Sequence, residues 1–267
     1  MTANRLGVIG WPVAHSRSPQ MHNAALEEAG LPDWRFQLLP VPPELFDETA
    51  RALPAAGFAG ASVTIPHKEA ALAVADSAGE SARAIGAANT LRLGEDGGLV
   101  AENTDAPGFM EALGEPPASG SSALVLGAGG AARAVVWALR EAGAEVAVWN
   151  RNPARARALA EEMEVEPAGT IAPAAILVNC TAAGMDGDPF EDLPLDAAAL
   201  GGYGTVVDLV YADREGRLLE AARAAGARTV DGIDVLVAQG AIAFEMWTGR
   251  PAPLETMAAA ARATAAG

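Results

Sequence analysis

The chain has 267 residues, a formal net charge of −16, 51% hydrophobic residues and 19% charged ones. That size and mix suit one large or two modest domains with a real core and give no compositional sign of disorder. So acidic a surface repels polyphosphate, which argues against nucleic acid or an anionic membrane as partner and requires any anionic ligand to find its own cations.

In chain order, residues 6–9 read as a buried strand, and no cationic leader precedes them, so no signal peptide is expected. A helix follows over 19–29, with Ser18 as its N-cap and Pro19 at its first position. Residues 36–41 are strand-like, 43–53 helical and 61–65 strand-like, and another helix starts at about Lys68. Residues 90–93 and 99–101 flank a turn-rich stretch and predict a hairpin. This alternation argues for a mainly parallel α/β sheet. The Pro/Gly/Ser-rich stretch 114–122 is the best linker, and a βαβ unit follows it: strand 123–126, glycine turn 127–130, helix 131–141 and strand 146–149. Further strands are expected at 176–179, 206–210 and 228–230, and helices at 235–247 and 254–265. Gln239 and Glu245 interrupt the apolar run near the end, so no membrane span is expected. The C-terminal helices suit either a homodimer contact or packing on the first domain.

Single residue types narrow the chemistry. One cysteine, Cys180, excludes an intrachain disulfide, fits a reducing cytoplasm and reads as an inert core residue. His15, His22 and His67 form no metal-binding spacing, so no metal is expected, and His67 reads as packing rather than catalytic. Of the 18 Lys+Arg residues, 17 are arginine and only Lys68 is lysine. Arginine cannot release its proton in a protein and lysine can. A lone lysine marks either a position where arginine will not serve or a chance survivor, and composition leaves both open.

Gly127-Ala128-Gly129-Gly130-Ala131-Ala132 follows an apolar strand and opens a helix, the GxGxxG/A pattern with Ala132 in third place. Glycine is needed where the chain turns tightly and where backbone approaches a pyrophosphate at a helix N-terminus. An NAD enzyme usually ends the next strand on a carboxylate that accepts from the ribose hydroxyls. This chain instead has Asn150-Arg151-Asn152 with Arg155 one turn on, which favours the 2′-phosphate of NADP.

The other motifs cluster at strand ends, where open α/β sheets bind ligands. Ser16 and Ser18 stand beside a helix N-terminus and suit a carboxylate. Thr64 and Lys68 follow a strand, and Asn89 and Asp105 lie at further segment boundaries.

These motifs together resemble the shikimate dehydrogenase family over nearly the whole chain. They comprise HSxSP at 15–19, VTxPxKE at 63–69, IGAxNT at 85–90, NTD at 103–105, GAGGAARA at 127–134, Asn150-Arg151, DxxY at 208–211 and the Gly232…Gln239…Trp247-Thr248-Gly249 ending. The resemblance implies an α/β fold of two domains around a cleft, the second a Rossmann-type dinucleotide-binding domain, with C-terminal helices packing back on the first. Residues 1–103, joined by 237–267, would be the substrate-binding and catalytic domain, and 104–236 the NADP-binding domain. It implies Lys68 and Asp105 as catalytic pair, and Ser16, Ser18, Thr64, Lys68, Asn89, Asp105, Tyr211 and Gln239 as substrate ligands. Gly127, Ala128, Gly129, Gly130, Ala131, Asn150, Arg151, Asn152, Arg155, Leu209 and Gly232 would hold NADP, with Glu80 placed there by spacing alone. The implied reaction is reversible NADPH-dependent reduction of 3-dehydroshikimate to shikimate, in aromatic amino-acid biosynthesis. Three positions depart from the family pattern: Ser62 where asparagine is common, Val235 where methionine often stands near the nicotinamide, and Gly240 in place of a common alanine.

Three other readings compete. A quinate or quinate/shikimate dehydrogenase shares most of these residues, but its NAD use calls for an acidic group after the second cofactor strand. A two-domain dehydrogenase acting on a folate carbon leaves the paired serines and Tyr211 unexplained. A non-catalytic dinucleotide sensor on the same fold has no need of Lys68 and Asp105 together.

Overall fold

The computed structural model describes residues 4–185, 187–211 and 216–263. They divide into two compact units, Met1–Gly108 with Leu236–Gly267, and Phe109–Val235.

The first unit begins with β1 (Arg5–Gly10), α1 (Ser18–Glu28), β2 (Arg35–Pro40), α2 (Phe46–Ala52), β3 (Phe58–Val63) and α3 (Lys68–Val74). It continues through β4 (Ser77–Ala78), α4 (Glu80–Ile85), β5 (Thr90–Leu93), β6 (Leu99–Glu102) and the start of α5 (Asp105–Leu113). Its sheet runs β2-β1-β3-β5-β6-β4. The strand β1 lies parallel between β2 and β3 and is buried over its last five residues, which explains its continuous apolar run. The expected hairpin is β5–β6, and its antiparallel pairing to β3 makes this sheet mixed rather than mainly parallel.

The second unit contains β7 (Ser122–Leu126), α6 (Gly130–Glu141), β8 (Glu145–Trp149), α7 (Pro153–Glu162), β9 (Glu166–Pro167) and β10 (Ile176–Asn179). Then come α8 (Pro189–Asp192), β11 (Thr205–Asp208), α9 (Arg217–Ala224), β12 (Arg228–Asp231) and the start of α10 (Gly232–Thr248); α11 (Leu254–Arg262) belongs to the first unit. The sheet runs β12-β11-β10-β7-β8-β9, and every pairing is parallel. Taken in chain order this is the 3-2-1-4-5-6 arrangement of a Rossmann-type fold, with its switch point between β7 and β10. The chain changes units within α5 and again within α10. The Pro/Gly/Ser-rich stretch 114–122, expected as the linker, lies inside the second unit.

Each unit has its own core. Ile9, Phe46, Phe58, Val63 and Leu91 anchor one in the first, and Leu124, Leu126, Leu177, Leu200, Val206 and Leu218 one in the second. The C-terminal helices pack on the first unit. Helix α11 lies against α1, where Arg17 Nη1 donates to the Ala261 carbonyl at 2.8 Å, and Trp247 Nε1 of α10 donates to the Leu91 carbonyl at 2.9 Å. Gly60 makes room for that indole, because a Cβ there would stand 2.2 Å from Trp247 Nε1. No helix among the described residues is long and apolar enough to cross a membrane.

Several boundaries differ from the sequence expectation. Ser18 is not the N-cap of α1 but its first residue, because the Ser16 hydroxyl accepts the Ser18 N–H at 3.3 Å and Arg17 becomes the cap. Residues 43–53 split into a 3₁₀ turn and α2. The strand expected over 61–65 begins at Phe58 and stops at Val63, and that expected over 206–210 stops at Asp208, whose carboxylate takes the Val210 N–H. Cys180 is not a core strand residue: it is half-buried, just past β10.

Candidate active site

Lys68 and Asp105 each open a helix in the first unit. His67 precedes Lys68, stacks on Phe46 at 4.6 Å and hydrogen-bonds the Val41 carbonyl through Nε2 at 2.7 Å. Burial lowers the His67 pKa and this backbone contact partly opposes the shift, so a neutral imidazole donates there. His67 therefore packs and positions the start of α3. Asn103 prepares the start of α5: its Oδ1 accepts the Ala106 N–H at 3.2 Å, and its Nδ2 donates to the Ala87 carbonyl at 2.9 Å. The Lys68 carbonyl accepts the Ala88 N–H at 2.8 Å, tying α3 to the same segment.

Between them Lys68 Nζ donates to Asp105 Oδ2 at 2.5 Å, with the two side chains 11% and 17% exposed. Asn89 is buried beside the pair. Its Nδ2 lies 2.9 Å from Asp105 Oδ1, 2.9 Å from Thr104 Oγ1 and 3.1 Å from Gln239 Oε1. Its Oδ1 accepts the Thr104 N–H at 2.7 Å, with the Thr90 and Thr104 hydroxyls 3.3 Å away. Those donors hold the oxygen inward, so the amide presents its N–H groups to the carboxylate and to Gln239. Gln239 Nε2 in turn donates to the Leu236 carbonyl at 2.8 Å.

The structure thus joins Lys68, Asn89, Asp105 and Gln239 in one network. Thr90 and Thr104, both fully buried, belong to it and were not singled out individually from the sequence, although the IGAxNT and NTD patterns contain them. Ser16, Ser18 and Thr64 lie in the same unit past the ends of β1 and β3, two strands whose exits are tied by Thr64 N–H to Ile9 O at 2.9 Å and Trp11 N–H to Ile65 O at 3.0 Å. The Ser62 hydroxyl is buried with no hydrogen-bond partner among the described residues. Tyr211 is in the second unit, three residues past β11. Glu80 is exposed in the first turn of α4, in the first unit.

The glycine turn sits at the switch point of the second sheet. Gly127 has φ +116°, and a Cβ there would lie 3.0 Å from the Cys180 carbonyl oxygen, so both turn geometry and crowding require glycine. A Cβ on Gly129 would meet nothing within 4 Å, so the bare backbone leaves open space before the N-terminus of α6. Helix geometry leaves the first N–H groups of α6 without intrahelical partners, and with that space they fit a pyrophosphate. Beyond β8, Arg151 and Arg155 are exposed, and Arg155 Nη2 lies 3.5 Å from the Ala128 carbonyl of the turn. Asn152 caps α7 by accepting the Ala154 N–H at 3.0 Å, and Asn150 Nδ2 donates to the Asn152 carbonyl at 3.0 Å. The donor set, two guanidiniums with no carboxylate at the strand end, fits NADP. Past β11 the Leu209 N–H bonds the Asn179 carbonyl at 3.0 Å, and a Cβ on Gly232 would stand 2.6 Å from the Leu209 oxygen. The segment Asn179-Cys180-Thr181, beside the turn, was missed as part of this site; its signal is its position just past a strand at the ligand-binding edge.

Comparison with known proteins agrees along the chain. Residues 8–91 match the shikimate dehydrogenase substrate binding domain, 113–181 the shikimate / quinate 5-dehydrogenase model, and 232–262 the shikimate 5'-dehydrogenase C-terminal domain. Shikimate dehydrogenase (NADP(+)) of Rhodospirillum rubrum is 46% identical over 260 residues, covering 91% of each chain. The enzyme of the same name from Thermus thermophilus is 49% identical over 253 residues, covering 92% of each. A crystal structure of Thermus thermophilus shikimate 5-dehydrogenase with NADP(H) and shikimate superposes with TM-score 0.87 at 45% identity, over 98% of this chain and 99% of that one. A ligand-free 5-ketofructose reductase of Gluconobacter superposes with TM-score 0.83 at 30% identity, over 98% of both. With identities near one half sustained across nine-tenths of each relative, the chain belongs to the shikimate dehydrogenase family.

Proposed function

We propose that the chain catalyses reversible NADPH-dependent reduction of 3-dehydroshikimate to shikimate, with Lys68 and Asp105 as the catalytic pair. The observation that carries this reading is the 2.5 Å contact between Lys68 Nζ and Asp105 Oδ2, with the Asn89 amide against the other carboxylate oxygen. Bound NADPH supplies the hydride. Lys68 Nζ gives a proton to the oxygen that becomes the alcohol, and in the reverse direction takes it back, while Asp105 orients the amine. Asn89, Asp105 and Gln239 read the ring hydroxyls, and such buried polar groups reject an analogue that leaves them unpaired. Ser16 and Ser18 hold the substrate carboxylate beside the start of α1; Thr64 and Tyr211 add hydroxyl contacts. The glycine turn, Asn150, Arg151, Asn152, Arg155, Leu209 and Gly232 hold NADP, with Glu80 a further contact. In this reading residues 1–103 with 237–267 bind substrate and 104–236 bind NADP.

The compartment is the cytoplasm, in keeping with a single cysteine. The assembly is a homodimer, for which Met246 and Leu254 on the C-terminal helices offer exposed apolar surface.

Purified protein mixed with shikimate and NADP, followed at the absorbance of NADPH, tests the reaction. Parallel arms with quinate, with NAD and with 5-ketofructose plus NADPH test its specificity. Turnover highest with shikimate and NADP is expected; binding of both ligands without turnover would overturn the enzymatic reading.

A further inference from the structure

The DxxY motif places a carboxylate, Asp208, that the proposed chemistry does not use. It is 2% exposed and ends β11, and its strand partner across the parallel pair is Asn179, fully buried at the end of β10. Asp208 Oδ1 accepts from Asn179 Nδ2 at 2.9 Å and from the Val210 N–H at 3.1 Å. Asn179 extends the network into the next turn: its Oδ1 accepts the Thr181 N–H at 3.0 Å and hydroxyl at 2.7 Å, and its Nδ2 lies 3.3 Å from the Ala183 carbonyl. The Thr181 hydroxyl oxygen accepts the Ala183 N–H at 3.1 Å. On the other side, the Asp208 backbone is pressed against the start of α10, where a Cβ on Gly232 would stand 3.0 Å from its carbonyl oxygen. One carboxylate oxygen therefore fastens the turn after β10 to the segment after β11.

These segments occupy the side of the switch point opposite β8. A dinucleotide lying across that point would put its 2′-phosphate toward Arg151 and Arg155 and its nicotinamide over the ends of β10 and β11. Holding a carboxyl so deeply has a cost, visible in a pKa that burial pushes up to about 6 against the hydrogen bonds from Val210 and Asn179. An apolar residue would avoid that cost and would lose both bonds.

We infer that Asp208 is a positioning residue for hydride transfer, a carboxylate that clamps residues 179–183 and 209–210 so that Leu209 and Gly232 meet the nicotinamide in one geometry. The inference rests on the assignment of Leu209 and Gly232 to the cofactor. Asp208→Ala removes both bonds, and its kcat/KM with shikimate and NADP is expected to fall about ten- to hundredfold. Asp208→Asn keeps an oxygen at the accepting position and should stay within about threefold of the parent, since the clamp needs an acceptor rather than a charge. Binding of adenosine 2′,5′-bisphosphate, which lacks the nicotinamide half, should change less than about twofold in either variant.

An Asp208→Ala protein with parental kcat/KM overturns the clamp. So does one that loses adenosine 2′,5′-bisphosphate binding along with turnover, because Asp208 then only maintains the fold. An Asp208→Asn protein as slow as Asp208→Ala also overturns it, since charge then matters rather than the two bonds. Gly232→Ala, which displaces the Leu209 carbonyl, separates the levels. If it slows turnover while Asp208→Ala does not, the clamp alone fails; if neither slows it, the cofactor assignment fails as well.

Discussion

Lys68 and Asp105, 37 positions apart in the chain, are each the first residue of a helix, and their side chains meet at 2.5 Å. A carboxylate gains from the helix dipole at that place and an ammonium loses, so Asp105 stabilises its own helix whereas Lys68 does not. The lysine is held there by its partner and by the Ala88 N–H on its own carbonyl. Lys68 is the one lysine among the 18 Lys+Arg residues of the chain.

Replacing Lys68 by arginine keeps the charge and the salt bridge but removes a group able to give up its proton. The variant should bind shikimate with KM within about threefold and lose about 10²–10⁴ in kcat, the usual worth of general acid–base help. Steady-state rates in both directions read this directly. Near-parental kcat would reduce Lys68 to a supplier of charge.

The local patterns were the legible part. Apolar runs marked β1, β7 and β10, and the glycine turn announced itself by spacing, because turn geometry and close backbone approach both act within a few residues. The two-residue strands β4 and β9 left no such mark: they exist only through pairing with β6 and β8. Ser18 has the residue type of a cap, but the Ser16 hydroxyl accepts the Ser18 N–H, so the helix begins at Ser18 and Arg17 stands at the cap. The site itself was legible as a set of residue types at strand ends, not as a network. Asn89 and Gln239 are 150 positions apart, and nothing local specifies which face of the Asn89 amide turns inward. That orientation comes from the Thr104 N–H and the buried hydroxyls of Thr90 and Thr104.

In the proposed reading, NADP is selected at the end of β8. Arg151 and Arg155 are exposed, and the strand end reads Asn150-Arg151-Asn152 with no carboxylate, a donor set that suits a phosphate. A charge-assisted contact contributes about 1.5–3 kcal/mol, so Arg151→Ala should raise KM for NADP about ten- to hundredfold and leave KM for NAD nearly unchanged. Arg155→Ala should act in the same direction, and the double variant should turn over NADP and NAD with similar efficiency. The ratio of kcat/KM for the two cofactors is the measurement; a ratio that survives both substitutions would place the 2′-phosphate elsewhere.

His22 predicts how the first unit responds to acid. Its ring is fully buried, stacks on Phe36 at 4.4 Å, lies 5.5 Å from Trp247 and has no partner for either nitrogen among the described residues. Burial lowers its pKa from 6.5 to about 3. Above pH 6.5 folded and unfolded chains both carry it neutral and it adds no pH dependence. As pH falls below 6.5 the unfolded chain gains a proton that the fold refuses, so stability is lost progressively down to about pH 3. Between pH 7.5 and pH 5 that loss amounts to about 2 kcal/mol from this one group. Asp208 works in the opposite sense, because its raised pKa of about 6 lets the folded state bind its proton first. Comparing a His22→Phe variant with the parent cancels the Asp208 contribution. The variant keeps the aromatic stack and sheds two unpartnered nitrogens, so it should be about 1 kcal/mol more stable at pH 7.5 and about 3 kcal/mol more stable at pH 5. Urea midpoints at the two pH values, with equal m-values, report the difference. An advantage that does not grow on acidification would mean that His22 takes up its proton within the fold.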